Sequence, residues 1–166
     1  MSTASLPPFD AVVRQHGAAV LRLCRTVAGV HDAEDVWSET FLAALRAYPA
    51  LPADTNVEAW LVTIARRKSI DALRAAGRRP VPVETVPERG AHEATGDPDL
   101  VTAVAALPLR QREAIAFHYL VGLPYAQVAE IVGGSEPAAR RAAADGMKAL
   151  RRTYRPALEP SGGGSR

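Results

Sequence analysis

Apolar residues recur along most of this chain every three to four positions, the spacing that gathers side chains on one face of an α-helix. Phe9, Val13, Val20, Cys24 and Val27 mark a first amphipathic helix over 9–29, which Gly29 ends. A second runs from Asp32 to Tyr48, with Pro49 as its stop. Trp37, Phe41, Leu45 and Tyr48 share one face of it, and Asp32, Asp35 and Glu39 lie on the opposite one. Asp32 is placed to cap this helix, and its acidic first turn suits the partial positive charge of a helix N-terminus. After a loop, Thr55-Asn56-Val57-Glu58 matches a capping box. Val57, Leu61 and Ile64 form the face of a third helix. Its period breaks at Arg66-Arg67-Lys68 and resumes out of phase at Ile70 and Leu73, which predicts either a bend or a helix with two working faces.

Residues 77–97 sustain no apolar period. Together with Pro98 they hold four of the 13 prolines and three of the 12 glycines, the composition of a linker. Beyond it a short helix reaches Leu107, and Pro108 starts another that runs to about Val121. Residues 124–155 then read as a short helix, a glycine turn and a longer basic helix, the outline of a helix-turn-helix. No strand-like alternation of any length occurs. The expected fold is all-α: a first helical domain over 9–76, a flexible linker over 77–97 and a second helical domain over 98–155 ending in the helix-turn-helix. The ends, 1–8 and 156–166, are expected to be disordered.

Composition agrees. Apolar residues make up 48% of the 166 and aromatics only 5%, so alanine and leucine must do most of the packing, which favours helices. The net charge of +2 is unevenly spread. Residues 1–76 carry 8 basic and 8 acidic side chains, 77–99 carry 3 and 5, and 100–166 carry 9 and 5. The basic excess thus falls on the part holding the helix-turn-helix, as phosphate contact requires. With one cysteine, Cys24, no intrachain disulfide can form, and a reducing cytoplasm is expected. Cys24 lies on an apolar face and reads as a packing residue. There is no signal-peptide pattern and no apolar run near the roughly 18–20 residues of a membrane span, so no membrane insertion is expected.

Catalysis has little support. His16, His31, His92 and His118 are scattered and share no motif with cysteine or carboxylate, and neither metal-ligand spacing nor a glycine-rich phosphate loop is present. No enzyme activity, metal or cofactor is expected. The helix-turn-helix has a physical rationale at several positions. Val128 and Ile131 bury the first helix, and Gly133 can take a positive φ at its end. Ser135 can cap the next helix, whose first turn tolerates Pro137. Arg140 and Arg141 then project where a recognition helix meets base edges, while Lys148, Arg151, Arg152 and Arg155 suit phosphates. The alternative is an alanine-rich helix with a solvated basic side. By itself the acidic face of the second helix reads sooner as plain solvated surface than as a docking face. Trp60 beside Arg66-Arg67-Lys68 reads either as core or as a stacking platform for melted DNA.

Taken together, these pieces resemble the bacterial sigma-70 family, in its small extracytoplasmic-function group. The match covers roughly residues 9–155. Asp32-Ala33-Glu34-Asp35-Val36 through Phe41-Leu42 resembles the family motif that docks on the β′ clamp helices of RNA polymerase. Trp60-Leu61 through Ile64-Ala65-Arg66, with Ile70-Asp71-Ala72-Leu73-Arg74, resembles the stretch that melts the promoter and captures a flipped −10 base. Leu107-Pro108, Arg112-Glu113, Gly122-Leu123 and Tyr125 through Ile131 resemble the domain that binds the −35 element and the β flap. The resemblance implies a cytoplasmic sigma factor that binds core RNA polymerase, directs it to specific promoters and assists their melting. It implies Asp32, Glu34, Asp35, Glu39 and Phe41 in polymerase docking. It implies Trp60, Arg66, Arg67, Lys68 and Arg74 at −10 DNA, and Tyr125, Gln127, Glu136, Arg140, Arg141 and Lys148 at −35 DNA. An anti-sigma factor is the further partner that family habit implies. The chain departs from the usual pattern at Ser38 (usually glutamine), Arg67 (asparagine), Lys68 (apolar) and Ala138, which lacks a phosphate-reaching hydroxyl. Two rivals follow: a sigma-like DNA-binding regulator that does not itself initiate transcription, and a helical module that binds proteins only.

Overall fold

A computed structural model describes residues 5–78 and 98–154; the expected linker beyond residue 78 and the extreme ends lie outside the described residues. The described chain is helical, with no strand among the described residues. In order it forms α1 (Phe9–Ala28), α2 (Ala33–Ala47), a 3₁₀ turn (Tyr48–Ala50), α3 (Val57–Arg78), α4 (Pro98–Ala105), α5 (Leu109–Ile115), a π-helical turn (Ala116–Leu120), α6 (Tyr125–Val132) and α7 (Glu136–Thr153).

The first three helices pack mutually, as their apolar faces predict. Val12, Val20, Leu23, Cys24 and Val27 of α1 meet Val36, Phe41 and Ala44 of α2 and Leu61, Val62 and Ala65 of α3. An aromatic cluster closes one end: Trp37 lies 4.7 Å from Phe41 and Phe9 5.2 Å from Tyr48. The Trp37 indole donates to the Gly17 carbonyl at 2.9 Å. Leu45, expected on the apolar face of α2, is instead 50% exposed, as is its neighbour Leu42 at 53%.

Helix starts differ in detail from the sequence expectation. The Asp32 side chain makes no capping bond; its backbone is already near-helical, at φ −97° and ψ −6°, where the carboxylate does not reach the following N–H groups. At α3 the cap is Asn56 and not Thr55: Asn56 Oδ1 accepts from the Ala59 N–H at 3.1 Å. Of the two expectations for α3, the second holds, because it runs unbroken through Arg66-Arg67-Lys68. Its Leu61–Ala65 side feeds the first bundle, while its Arg66 side faces the second unit.

The second unit packs α5 against α7 and α6 against α7. Gly146 sits at the α5 crossing, where an added Cβ would lie 2.6 Å from Ile115 Cδ1 and 3.2 Å from Gln111 Cβ. One apolar core runs across both units, and a smaller one (Val104, Leu107, Ile115 and Leu150) lies within the second. Ala116, Phe117, Leu123, Val128 and Val132 are continuous with the buried residues of α1–α3. Arg112 stitches this seam. Its guanidinium donates to the Val27 carbonyl near the end of α1 (2.8 Å), to the Ala105 carbonyl at the end of α4 (2.9 Å) and to the Leu107 carbonyl just beyond it (3.1 Å). A cation there satisfies carbonyls that helix ends leave unpaired.

Candidate nucleic-acid interface

The helix-turn-helix forms as its residues dictate. Gly133 and Gly134 make the turn at φ 83° and 99°, a region that only glycine enters freely. Ser135 caps α7, its Oγ accepting from the Ala138 N–H at 3.2 Å, with Pro137 in the first turn. Val128 is fully buried under the turn, and Ala139 is buried where α7 crosses α6. Arg140, Arg141 and Lys148 are exposed, as is Glu136; Tyr125 and Gln127 are half-buried.

Arg140 is held from two sides. Its guanidinium bonds Glu136 at 2.9 Å and lies over the Tyr125 ring, 4.7 Å from its centroid. Tyr125 in turn stacks on His118, with centroids 3.8 Å apart and planes 15° apart. The structure therefore brings Tyr125, Glu136 and Arg140 together; Arg141 lines a recess with Glu136 and Arg140 but takes no part in the stack, and Lys148 lies outside both. Sequence reading passed over His118 as one of four scattered histidines; nothing in its spacing marks a stack that depends on the π turn.

On α3, Arg66, Arg67 and Arg74 surround one polar recess of about 230 Å³, together with Asp71 and Ile131 of α6. Arg67 and Arg74 are exposed. Arg66 is not free: its Nε lies 2.6 Å from Oε1 of Glu113, which is fully buried in α5. Trp60 is half-buried, 6.2 Å from the Tyr48 ring, and lines a cleft of about 350 Å³ whose far wall is Gln127, Glu130 and Ile131. Lys68 approaches Glu39 at 3.9 Å, linking this face to that of α2.

On α2, Glu34, Asp35 and Glu39 are exposed and Asp32 is half-buried. Phe41 is buried, packed on Trp37 and Phe9. It lies on the core-facing side of α2, opposite the acidic residues. The exposed Leu42 and Leu45 add apolar surface to α2 that the helical pattern missed. Burial pushes the Cys24 thiol up to about 12. Among the described residues no group of three His, Cys, Asp or Glu side chains could hold a metal ion. No described helix is long and apolar enough to cross a membrane.

Comparison with known proteins covers both units. The family profile for Sigma-70 region 2 matches residues 12–79, and that for Sigma-70, region 4 matches residues 99–150. A probable RNA polymerase sigma-C factor of Mycobacterium bovis is 34% identical over 132 residues, covering 75% of this chain and 71% of that protein. The ECF RNA polymerase sigma factor SigJ of Mycobacterium tuberculosis is 37% identical over 166 residues, covering 90% of this chain and 50% of that protein. Among solved structures, the sigma factor RpoE of Bartonella quintana, in complex with the anti-sigma factor NepR, aligns with a TM-score of 0.74. It is 24% identical and covers 87% of this chain and 95% of its own.

Proposed function

The chain belongs to the sigma-70 family, in its extracytoplasmic-function group, and on that premise we propose how its residues divide the work of a sigma factor. It directs RNA polymerase to promoters. The division into a first domain over 9–76 and a second over 98–155 assigns one DNA element to each. The second reads the −35 element through Arg140 and Arg141, with Tyr125, Gln127, Glu136 and Lys148 around them. The first holds −10 DNA through Trp60, Arg66, Arg67, Lys68 and Arg74, and assists melting. The α2 face of Asp32, Glu34, Asp35 and Glu39, backed by Phe41, docks on the β′ clamp helices, and the second domain meets the β flap. The protein performs no catalysis itself, works in the cytoplasm and has an anti-sigma factor as a partner.

One observation carries the reading best: a capped recognition helix presents Arg140 and Arg141, and the same chain gathers Arg66, Arg67 and Arg74 around a second recess. Two basic surfaces on separate units suit one duplex contacted at two places. The arrangement also sets an order of events. Glu113 holds the Arg66 Nε in the seam, and α6 walls the Trp60 cleft. Separation of the two units, which docking on two sites of the polymerase would drive, opens both fully to −10 DNA. The test is charge reversal. Arg140→Glu with Arg141→Glu should abolish −35-dependent transcription by reconstituted holoenzyme while core binding persists. Unchanged −35 dependence would remove the assignment.

A further inference from the structure

The geometry points to His118 as a positioning residue for −35 recognition: acting through Tyr125, it holds Arg140 in the pose that reads a base. This rests on the sigma-factor reading above and adds a residue outside its DNA-facing set.

The support is a layered stack. The π turn inserts one residue into the ladder that follows α5, closed by the Val121 N–H to the Ala116 carbonyl at 3.2 Å, and so re-aims the side chains it carries. His118 sits in that turn. Its Nδ1–H donates to the Leu123 carbonyl at 2.8 Å, which fixes the ring. Tyr119 meets the same ring edge-on at 4.9 Å. The fixed imidazole covers one face of Tyr125 at 3.8 Å and leaves no room there for another group, so the Arg140 guanidinium takes the other face. Glu136 then holds one guanidinium nitrogen at 2.9 Å. Tyr125 and Glu136 thus restrain, with His118 behind Tyr125, a side chain that would otherwise sample many rotamers. That restraint lowers the ordering cost of binding. Reading a guanine with an arginine needs two aligned N–H bonds, so orientation governs discrimination more than affinity. Arg141, one position on, is exposed and lies outside the stack.

The experiment is transcription from a promoter library randomised at −35 and −10, using the full chain reconstituted with core polymerase and sequencing the transcribed templates. Wild type is compared with Arg140→Ala, His118→Ala and His118→Phe. Arg140→Ala identifies the −35 position this residue reads. His118→Ala should flatten preference at that same position by about fivefold or more, with −10 preferences kept. His118→Phe, which keeps a flat ring against Tyr125, should restore most of it. A wild-type profile from His118→Ala would overturn the inference. So would flattening of −35 and −10 alike that His118→Phe fails to restore, because that marks loss of the fold. If wild type itself shows no −35 preference, the −35 assignment falls first and the role of His118 with it.

Discussion

Removing Arg66 and removing the Glu113 charge should have very different consequences, although the two groups form one ion pair. Glu113 is fully buried and Arg66 is 22% exposed, with 2.6 Å between Nε and Oε1. Arg66→Ala leaves the buried carboxylate without its hydrogen-bonded counter-charge, and Arg112 remains within electrostatic reach. Breaking a buried pair this way costs about 3–5 kcal/mol, and the partial exposure of Arg66 places this case near about 3 kcal/mol. Glu113→Gln keeps an acceptor for Arg66 and removes the buried charge, at the cost of an amide whose second group finds no partner, about 1 kcal/mol. The double substitution should therefore be more stable than Arg66→Ala alone by about 2 kcal/mol. The assay is urea unfolding of the full chain, wild type and the three variants, followed by circular dichroism as a double-mutant cycle. If Arg66→Ala lies within about 0.5 kcal/mol of wild type, or if Glu113→Gln deepens its loss, the pair does not hold the two units together in solution.

Other expectations follow from the packing and the caps. Gly146→Val forces side-chain atoms into Ile115 and Gln111 at the α5–α7 crossing and should cost about 2 kcal/mol, read as a lower urea midpoint. Ser135→Ala removes the α7 cap and should cost about 1 kcal/mol in the same assay, with −35-dependent transcription weakened. Cys24, its pKa raised from 9.0 to about 12, should resist a thiol reagent at pH 8 in the folded chain and react on unfolding. Because the folded state holds the neutral thiol, its contribution to stability is complete below pH 9 and is lost as pH rises from 9 towards 12. Rapid labelling of the native chain at pH 8 would contradict the burial of Cys24.

Much of this architecture is legible in the chain because local rules agree with the global fold. The apolar period marks α1 and α2 almost to the residue and the first half of α3, and Gly133, Ser135 and Pro137 mark the turn and start of α7 by their backbone chemistry. Expectations slipped where a local motif had competitors: at α3 the box pattern pointed to Thr55 while the bond is made by Asn56. Leu45 keeps the helical spacing of a buried residue, yet no element among the described residues covers it. The seam was illegible for a different reason. Arg66 and Glu113 are 47 positions apart, and each reads alone as a polar residue of its own unit. Arg112, adjacent in sequence to Glu113, binds carbonyls of two different helices, which no periodicity records. The His118 stack likewise depends on a π turn that tertiary packing, and not propensity, selects.

On the proposed assignment, this chain turns core polymerase into a promoter-selective enzyme through two basic surfaces. Run-off transcription with purified core polymerase, on templates recovered by mapping start sites after controlled overexpression, should then give transcripts of defined length that vanish when either the −35 or the −10 element is scrambled. Binding to core without a transcript from any of those templates would contradict it.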